Sequence, residues 1–331
     1  MRQREIESLL KPFEGDNPSI SLLVMRDGVP VIRESRGYAN LEVGELATPE
    51  TNYRLASVTK QFTAAAILLL ARDGTLDLDD SVSKWLPALP PATSAIRIRH
   101  LLSHTSGLVD YEDLIPESET AQMHDAGVLK LLERENRTMF DPGLGYHYSN
   151  SGYALLALIV ERASGESFSE FLSSRIFGPL GMMETVAHQE GKTTISSRAF
   201  GYSREGHGWS RDDQSITSAV LGDGGIYSSI DDLAKWNAAL DSSSLLGFEM
   251  QTLAFSPVTD TDRPGVRYAM GWRIEGASQW HTGSTRGFRN VILRIPSERL
   301  SIVVLTNRNE GEPLGIALEI AGILRAHSDS R

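Results

Sequence analysis

Two residues three positions apart, Ser57 and Lys60, have the side chains needed for nucleophilic catalysis. A serine hydroxyl attacks a carbonyl efficiently only when a base removes its proton, and a lysine can be that base if burial or a cation lowers its pKa. Residues three apart lie on one face of a helical turn, so we expect the two groups within hydrogen-bond reach. They precede an apolar helix predicted for residues 61–72, whose N-terminus favours the negative charge that develops on attack.

The same pattern of residues occurs again at Ser81 and Lys84, which gives an internal control. This copy follows Asp80 and other acidic residues and ends at Leu86-Pro87. It is typical of the capped start of a short exposed helix whose lysine pairs with surface carboxylates. Ser57 is therefore the candidate nucleophile.

A tyrosine and an asparagine, Tyr148 and Asn150, form a second motif between a turn at residues 141–143 and a predicted helix. A phenolate accepts a proton only where cations stabilise it, so Tyr148 needs Lys60 nearby, while the Asn150 amide can bind a substrate carbonyl. An ordinary turn with a packed tyrosine is the alternative. The same letters at residues 38–40 lie at the end of a predicted hairpin and favour a structural role.

A third motif, His281-Thr282-Gly283, is predicted on a strand that ends in a loop of small residues. Glycine lets a ligand approach the backbone closely. The N–H of Ser284, together with that of the candidate nucleophile, would form an oxyanion hole, and His281 would place a polar or cationic group beside the tyrosine. A histidine next to Trp280 is also compatible with a purely structural role.

The composition excludes several classes of protein. The chain has 331 residues, 40% of them hydrophobic, and a net charge of −11, which disfavours nucleic acid and anionic membranes as partners. It has no cysteine, so disulfides, thiolate metal sites and thiol nucleophiles are excluded. The charged first residues do not resemble a signal peptide, and no stretch has the length of a membrane helix. We expect a cytoplasmic protein, or a periplasmic one if a leader has been lost.

Strands at both ends of the chain are predicted to enclose helices. An apolar hairpin around Asp27-Gly28 and strands at 268–274, 290–294 and 300–305 favour one antiparallel sheet, which a helix at 314–325 follows. Helical patterns fill the middle, at 60–72, 152–163 and 168–176. We therefore expect one catalytic unit, with a sheet subdomain at about 1–55 and 215–331 and a helical subdomain at about 56–214. The cleft is expected between them.

Taken in order, Ser-x-x-Lys, Tyr-x-Asn and His-Thr-Gly resemble the active-site motifs of the penicillin-recognising serine hydrolases. This family includes class C β-lactamases, DD-peptidases and related esterases. The segments 101–108, 142–156 and 222–229 are also similar to the family, so the likeness extends from about residue 18 to the C-terminus. It implies an α+β, β-lactamase/transpeptidase-like fold, with an antiparallel sheet flanked by helices and a mostly helical region.

The resemblance also implies a mechanism. Ser57 attacks a carbonyl, Lys60 and Tyr148 carry its proton to the leaving group, and water later releases the acyl-enzyme. Asn150 and His281 assist and orient the substrate. No metal and no organic cofactor is implied.

Two histidines, His100 and His104, have the spacing of helical metal ligands but lie in the family-like segment Leu-Leu-Ser-His-Thr-Ser-Gly-Leu. A structural role is favoured over zinc binding.

The third motif departs from many relatives, which carry lysine where this chain has His281. A weaker positive charge binds a substrate carboxylate less strongly, so we expect a carboxylesterase for small esters, with amides or lactones as further substrates. The alternatives are a D-amino-acid peptidase, a weak β-lactamase, or a non-catalytic binding or receptor domain. The polar loops 110–127 and 190–213 are expected to select the substrate. The oligomeric state is not predicted.

Overall fold

The computed structural model describes residues 2–326. The helices are α1 (Arg2–Leu10), α2 (Lys60–Arg72), α3 (Val82–Trp85), α4 (Ile98–Leu102), α5 (Asp125–Leu132), α6 (Asn150–Ser164), α7 (Phe168–Leu172), α8 (Gly178–Leu180), α9 (Leu221–Gly224), α10 (Ile230–Ser242), α11 (Gly247–Ala254) and α12 (Pro313–Ala326). The strands are β1 (Ile20–Arg26), β2 (Val29–Arg36), β3 (Tyr38–Asn40), β4 (Glu45–Leu46), β5 (Tyr53–Arg54), β6 (Val186–Ala187), β7 (Tyr202–Glu205), β8 (Gly208–Arg211), β9 (Ile226–Ser228), β10 (Thr259–Asp260), β11 (Arg267–Tyr268), β12 (Arg273–Glu275), β13 (Ser278–Thr285), β14 (Phe288–Ile295) and β15 (Leu300–Thr306).

An eight-stranded antiparallel sheet in the order β10-β11-β12-β13-β14-β15-β1-β2 joins the two ends of the chain. Ile20 of β1 lies opposite Thr306 of β15. As predicted, β1 and β2 form a hairpin, and its turn residues Asp27 and Gly28 have φ of 55° and 78°. Two consecutive left-handed residues match the twist of a tight hairpin. β1 and β15 are buried almost throughout because helices cover both faces of the sheet.

Two hydrophobic clusters lie on opposite faces of the sheet. On one face α1 and α12 pack on the strands through Ile6, Leu10 and Ile320. On the other face α10 and the helical region form the larger cluster, in which the Trp236 ring lies 4.5 Å from that of Phe62 in α2. These two cores fix the sheet against α2, the helix that follows the candidate nucleophile.

Within residues 2–326, the structure has no helix long and apolar enough to cross a membrane.

The helical segments agree with the sequence patterns except at their ends. α2 covers the range 60–72 predicted from the sequence. α6 begins at Asn150, two residues earlier than predicted, because the Ser149 hydroxyl accepts a hydrogen bond from the Gly152 N–H and caps it. The segment predicted as a helix at 168–176 is α7 followed by a π-helical turn at Ser173–Phe177.

The strand predicted at 268–274 is wrong as one continuous element. β11 ends at Tyr268 and β12 begins at Arg273. Gly271 between them has φ of 79°, and a Cβ on it would lie 2.7 Å from the Lys60 carbonyl oxygen. The chain turns here because it passes directly over the start of α2. The division into two subdomains remains a prediction.

Candidate active site

Ser57 lies on a 3-10 turn, Ala56–Thr59, that leads directly into α2. Ala56 has φ of 51°, a left-handed conformation that is unfavourable for a residue with a side chain. The Leu55 N–H donates to the Ile226 carbonyl at 2.8 Å, which ties the turn to β9. The chain is thus held in a sharp turn that presents Ser57, which is partly exposed.

Lys60 is fully buried, and its amine has three hydrogen-bond acceptors. Nζ donates to Ser57 Oγ at 3.1 Å, to Asn150 Oδ1 at 2.8 Å and to the Asp223 carbonyl oxygen at 2.9 Å. Three acceptors match the three hydrogens of an ammonium group. The structure therefore brings the first and second sequence motifs together through Lys60.

Two cations lie against the ring of Tyr148. The Lys60 Nζ is 5.0 Å from the ring centroid, and the Arg273 guanidinium carbon is 5.7 Å from it. These distances are within the range of cation–π attraction. Sequence reasoning missed Arg273, which reaches the site only because β12 pairs with β13, opposite Trp280.

His281 is buried, and both of its ring nitrogens are bonded within the protein. Nδ1 donates to the Thr282 carbonyl at 2.7 Å, and Nε2 accepts from the Tyr268 hydroxyl at 3.0 Å. Burial, reinforced by the positive charges of Arg273 and Lys60, holds the pKa of His281 well below its usual value. The histidine is therefore neutral at physiological pH and gives the third motif no fixed positive charge.

Gly283 allows β13 to touch the turn that carries Ser57. A Cβ at this position would overlap the Leu55 carbonyl oxygen. Asn290 of β14 strengthens the contact, since its Nδ2 donates to the Arg54 carbonyl at 2.8 Å. Ser284 consequently lines the same cleft as Ser57.

The cleft at Ser57 is small and polar. Among the residues predicted from the sequence, Ser57, Asn150 and Ser284 line it. Outside the lining are the other predicted site residues, Lys60, Tyr148, His281, Thr282 and Gly283. The lining residues that sequence reasoning missed are Arg54, Ala56, Tyr111, Glu112, Thr217, Asp223, Gly224 and Thr285.

Two carboxylates, Asp223 and Glu112, lie in the cleft lining. The Tyr111 hydroxyl donates to Asp223 Oδ2 at 2.9 Å, and burial raises the pKa of Asp223 to about 7. Glu112 Oε1 accepts from Asn150 Nδ2 at 3.1 Å, and desolvation together with the nearby charge of Asp110 raises its pKa. The acidic residues at 110–113 and in Gly-Asp-Gly-Gly at 222–225 were the available signal, but nothing in the sequence says that they meet.

His100 and His104 use ring nitrogens to hold the chain. His100 Nδ1 accepts from the Arg97 N–H at 3.2 Å, and His104 Nδ1 accepts from the Ser149 N–H at 3.1 Å. Over the part of the chain that the structure describes, no three His, Cys, Asp or Glu residues are grouped to hold a metal ion. The Nδ1 atoms of both histidines thus accept from backbone N–H groups, which is the contact of a structural histidine.

The second copy of the serine and lysine pattern is a helix start on the surface. The Ser81 hydroxyl accepts from the Ser83 N–H and caps α3, and Lys84 pairs with Asp80 at 2.8 Å. This agrees with the interpretation of the sequence. The residues 38–40 form β3, away from the cleft lining.

The fold and the contacts at Ser57 define a class, the β-lactamase and transpeptidase fold. The family model described as Beta-lactamase matches residues 3–326, and the chain belongs to this family. It is therefore a serine hydrolase.

Three comparisons with known proteins give more detail. Penicillin-binding protein 4* of Bacillus subtilis (strain 168) is 31% identical over 94% of this chain and 73% of its own length. D-aminopeptidase of Gluconobacter oxydans (strain 621H) is 30% identical over 95% of this chain, which spans only 60% of that protein. The crystal structure of D-amino acid amidase from Ochrobactrum anthropi SV3, complexed with L-phenylalanine amide, has a TM-score of 0.85 and 26% identity, covering 100% of this chain and 99% of that one.

Proposed function

We propose that this chain hydrolyses small acyl compounds through an acyl-enzyme on Ser57. The observation that carries the proposal is the Lys60 amine, which bonds Ser57 Oγ and Asn150 Oδ1 at once beside the ring of Tyr148. A buried ammonium between a serine and a tyrosine stabilises the negative charge that arises when the serine proton leaves.

The first half of the reaction forms the acyl-enzyme. Ser57 Oγ attacks the carbonyl carbon, and its proton passes to the oxygen of Tyr148, which enters the step as a phenolate stabilised by the Lys60 ammonium, while Lys60 stays charged. The oxygen of the tetrahedral intermediate would accept from the N–H groups of Ser57 and Ser284, which line the same cleft. Collapse of the intermediate breaks the bond to the leaving group, which takes the proton from Tyr148. Water then attacks the acyl carbonyl and gives a proton to Tyr148. Ser57 Oγ leaves and takes that proton back, and the acid is released.

The charge of the third motif is one guide to the substrate class. A neutral, internally bonded His281 offers no cation for a substrate carboxylate. Esters whose acyl group carries no carboxylate therefore suit the site, with small amides and lactones as further substrates. β-Lactams, which carry a carboxylate, are expected to be poor substrates.

A D-aminoacyl amide or peptide is the second candidate, and Glu112 favours it. This carboxylate lines the cleft next to Asn150, where it would attract the ammonium group of an aminoacyl substrate. The name of the related D-aminopeptidase agrees with this chemistry.

The test is a substrate panel measured with matched variants. The panel contains p-nitrophenyl acetate and butyrate, D-alanine p-nitroanilide, its N-acetyl form, and nitrocefin. Ser57→Ala is expected to abolish turnover, whereas Ser81→Ala, its surface control, retains it. Full turnover by Ser57→Ala would refute the assigned nucleophile.

The same panel separates the two substrate classes. If esters are turned over best and Glu112→Gln leaves them unchanged, the esterase proposal stands. The aminopeptidase proposal replaces the esterase proposal if D-alanine p-nitroanilide is the best substrate and Glu112→Gln lowers its turnover. The turnover of the N-acetyl form should then be unaffected by the substitution.

A non-catalytic receptor would show neither turnover nor labelling of Ser57 by a fluorophosphonate.

A cytoplasmic location remains a prediction, which cell fractionation tests.

A further inference from the structure

His104 combines two unfavourable features in a buried position. Its φ of 58° lies in the left-handed region. Because Nδ1 accepts a hydrogen bond, the ring proton is on Nε2, and this buried nitrogen has no hydrogen-bond partner among residues 2–326. Both features lower the stability of the folded protein, so we expect His104 to have a role that compensates for this cost.

The hydrogen bonds of His104 hold the chain on both sides of Tyr148. Its carbonyl oxygen accepts from the His147 N–H at 3.0 Å. Its Nδ1 accepts from the Ser149 N–H at 3.1 Å. The residue before and the residue after Tyr148 are thus fixed by the same histidine.

The ring of His104 also supports the ring of Tyr148 directly. The two centroids are 4.3 Å apart, with a tilt of 36° between the planes. On another side, the Tyr268 ring meets His104 edge-on at 4.5 Å, and the Tyr268 hydroxyl donates to His281. A continuous contact therefore leads from the third motif through His104 to Tyr148.

The surroundings keep His104 neutral. Burial is the main cause, and the positive charges of Lys60 and Arg273 act in the same direction, holding the pKa of His104 well below its usual value. Neutrality is necessary here because a protonated Nδ1 would face the Ser149 N–H and could not accept from it.

We propose that His104 is a positioning residue for Tyr148, holding the phenol where it can exchange a proton with Ser57. This inference rests on the proposed role of Tyr148. It assigns to His104 a part in the reaction although the side chain touches neither substrate nor nucleophile. A purely structural histidine would stabilise the loop without affecting how Tyr148 works.

Two substitutions divide the contacts of His104. His104→Asn keeps an acceptor near the position of Nδ1 and tolerates a left-handed φ, but it removes the ring. His104→Phe keeps a ring and removes the acceptor. His100→Asn is the matched control, because His100 lies on the same segment and its Nδ1 accepts from the Arg97 N–H at the start of its own helix.

The experiment measures the pre-steady-state rate at which p-nitrophenyl acetate acylates Ser57, for each His104 variant in the wild-type background and in a Tyr148→Phe background. In the wild-type background we expect both His104 variants to slow acylation by about 10- to 100-fold, the scale of a misplaced catalytic group. The control should stay near wild type. In the Tyr148→Phe background the His104 substitutions should add almost nothing, because residues that act through one group are not additive.

Several results would overturn the inference. The same fold loss in both backgrounds would show that His104 acts independently of Tyr148, and wild-type acylation by both His104 variants would remove its role altogether. Thermal unfolding checks every variant, and His104→Gln takes the place of a variant that does not fold. If Tyr148→Phe alone acylates at the wild-type rate, the proposed function of Tyr148 fails first, which separates the two claims.

Discussion

The hydrogen bonds of Lys60 bear on which side chain takes the proton from Ser57. Its amine donates to three acceptors, one of them Ser57 Oγ itself. While Lys60 is an ammonium, as the mechanism proposed above requires, it donates to the serine oxygen and cannot accept its proton. Tyr148, next to the same ammonium, is then the better acceptor, and Lys60 stabilises the charge that the transfer creates.

Removal of the Tyr148 hydroxyl should therefore slow the chemical step. We expect Tyr148→Phe to lower kcat by about 10²- to 10⁴-fold, the usual contribution of a general base, without lowering Tm. Tyr38→Phe is the control, because Tyr38 has the same sequence pattern but lies in β3. Steady-state kinetics on the best substrate of the panel measure both, and a Tyr148→Phe enzyme within twofold of wild type would rule out this role.

The buried carboxyl of Asp223 should make stability depend on pH. Its pKa of about 7 in the folded protein exceeds the value near 4 expected for an unfolded chain. Between these values the folded state holds a proton that the unfolded state has lost, so this stabilisation is present at pH 4 and is lost as the pH rises through 7.

Asp223→Asn removes this ionisation and keeps an acceptor for the Tyr111 hydroxyl. We expect the variant to be more stable than wild type at pH 8, by about 4 kcal/mol, and to show little difference at pH 4. Denaturant unfolding at the two pH values measures this, with the exposed Asp113→Asn as control. An equal effect at both pH values would contradict the assignment.

Among the elements, the contact between β13 and the turn before α2 sets the geometry of the cleft. Gly283 lies against the Leu55 backbone, and Asn290 bonds the Arg54 carbonyl. Ser57 and Ser284 face one cleft only as long as this contact is tight.

Gly283→Ala should therefore damage both stability and activity. The new methyl group meets backbone rather than a mobile side chain, so we expect a loss of about 1–3 kcal/mol and a fall in kcat/KM. Gly322→Ala in α12 is the control, since its methyl group meets nothing within 4 Å, and a gain of about 0.5–1 kcal/mol is expected. Denaturant unfolding and steady-state kinetics on both variants test this. A Gly283→Ala variant with wild-type stability and kcat/KM would mean that the contact is loose.

The sequence predicted secondary-structure elements better than it predicted contacts between residues that are distant in the chain. α2 and the first hairpin follow from local patterns of apolar residues and turns, and the motif at Ser57 is recognisable because its partner is only three residues away. Arg273 and Glu112 were missed because they reach the site through strand pairing and loop packing. The break at Gly271 was missed for the same reason, since its cause is the distant Lys60 backbone.

At the scale of the whole molecule, the sheet carries two separate cores. One lies against α1 and α12, and the other includes α2 and the residues around the cleft. The site belongs to the second core. A substitution in the core against α1 and α12 should therefore lower stability without lowering activity, whereas one in the core that includes α2 should lower both.

Ile320 in α12 offers a test on the face away from the cleft. It is fully buried, so Ile320→Ala should cost about 2–5 kcal/mol while kcat per folded molecule stays near wild type. Leu318, on the same helix, is 44% exposed, and Leu318→Ala should change stability by about 0.5 kcal/mol or less. Denaturant unfolding and active-site titration give both quantities, and a kcat that falls with Ile320→Ala would show that the cores are coupled.

The central claim is that a covalent acyl-enzyme forms on Ser57. The most direct measurement is mass spectrometry of protein quenched in acid during turnover of the best ester, followed by peptide mapping. We expect a mass increase of one acyl group on the peptide that contains Ser57, absent from Ser57→Ala and absent from the peptide that contains Ser81. Turnover by Ser57→Ala, or an acyl group mapped to another residue, would contradict it.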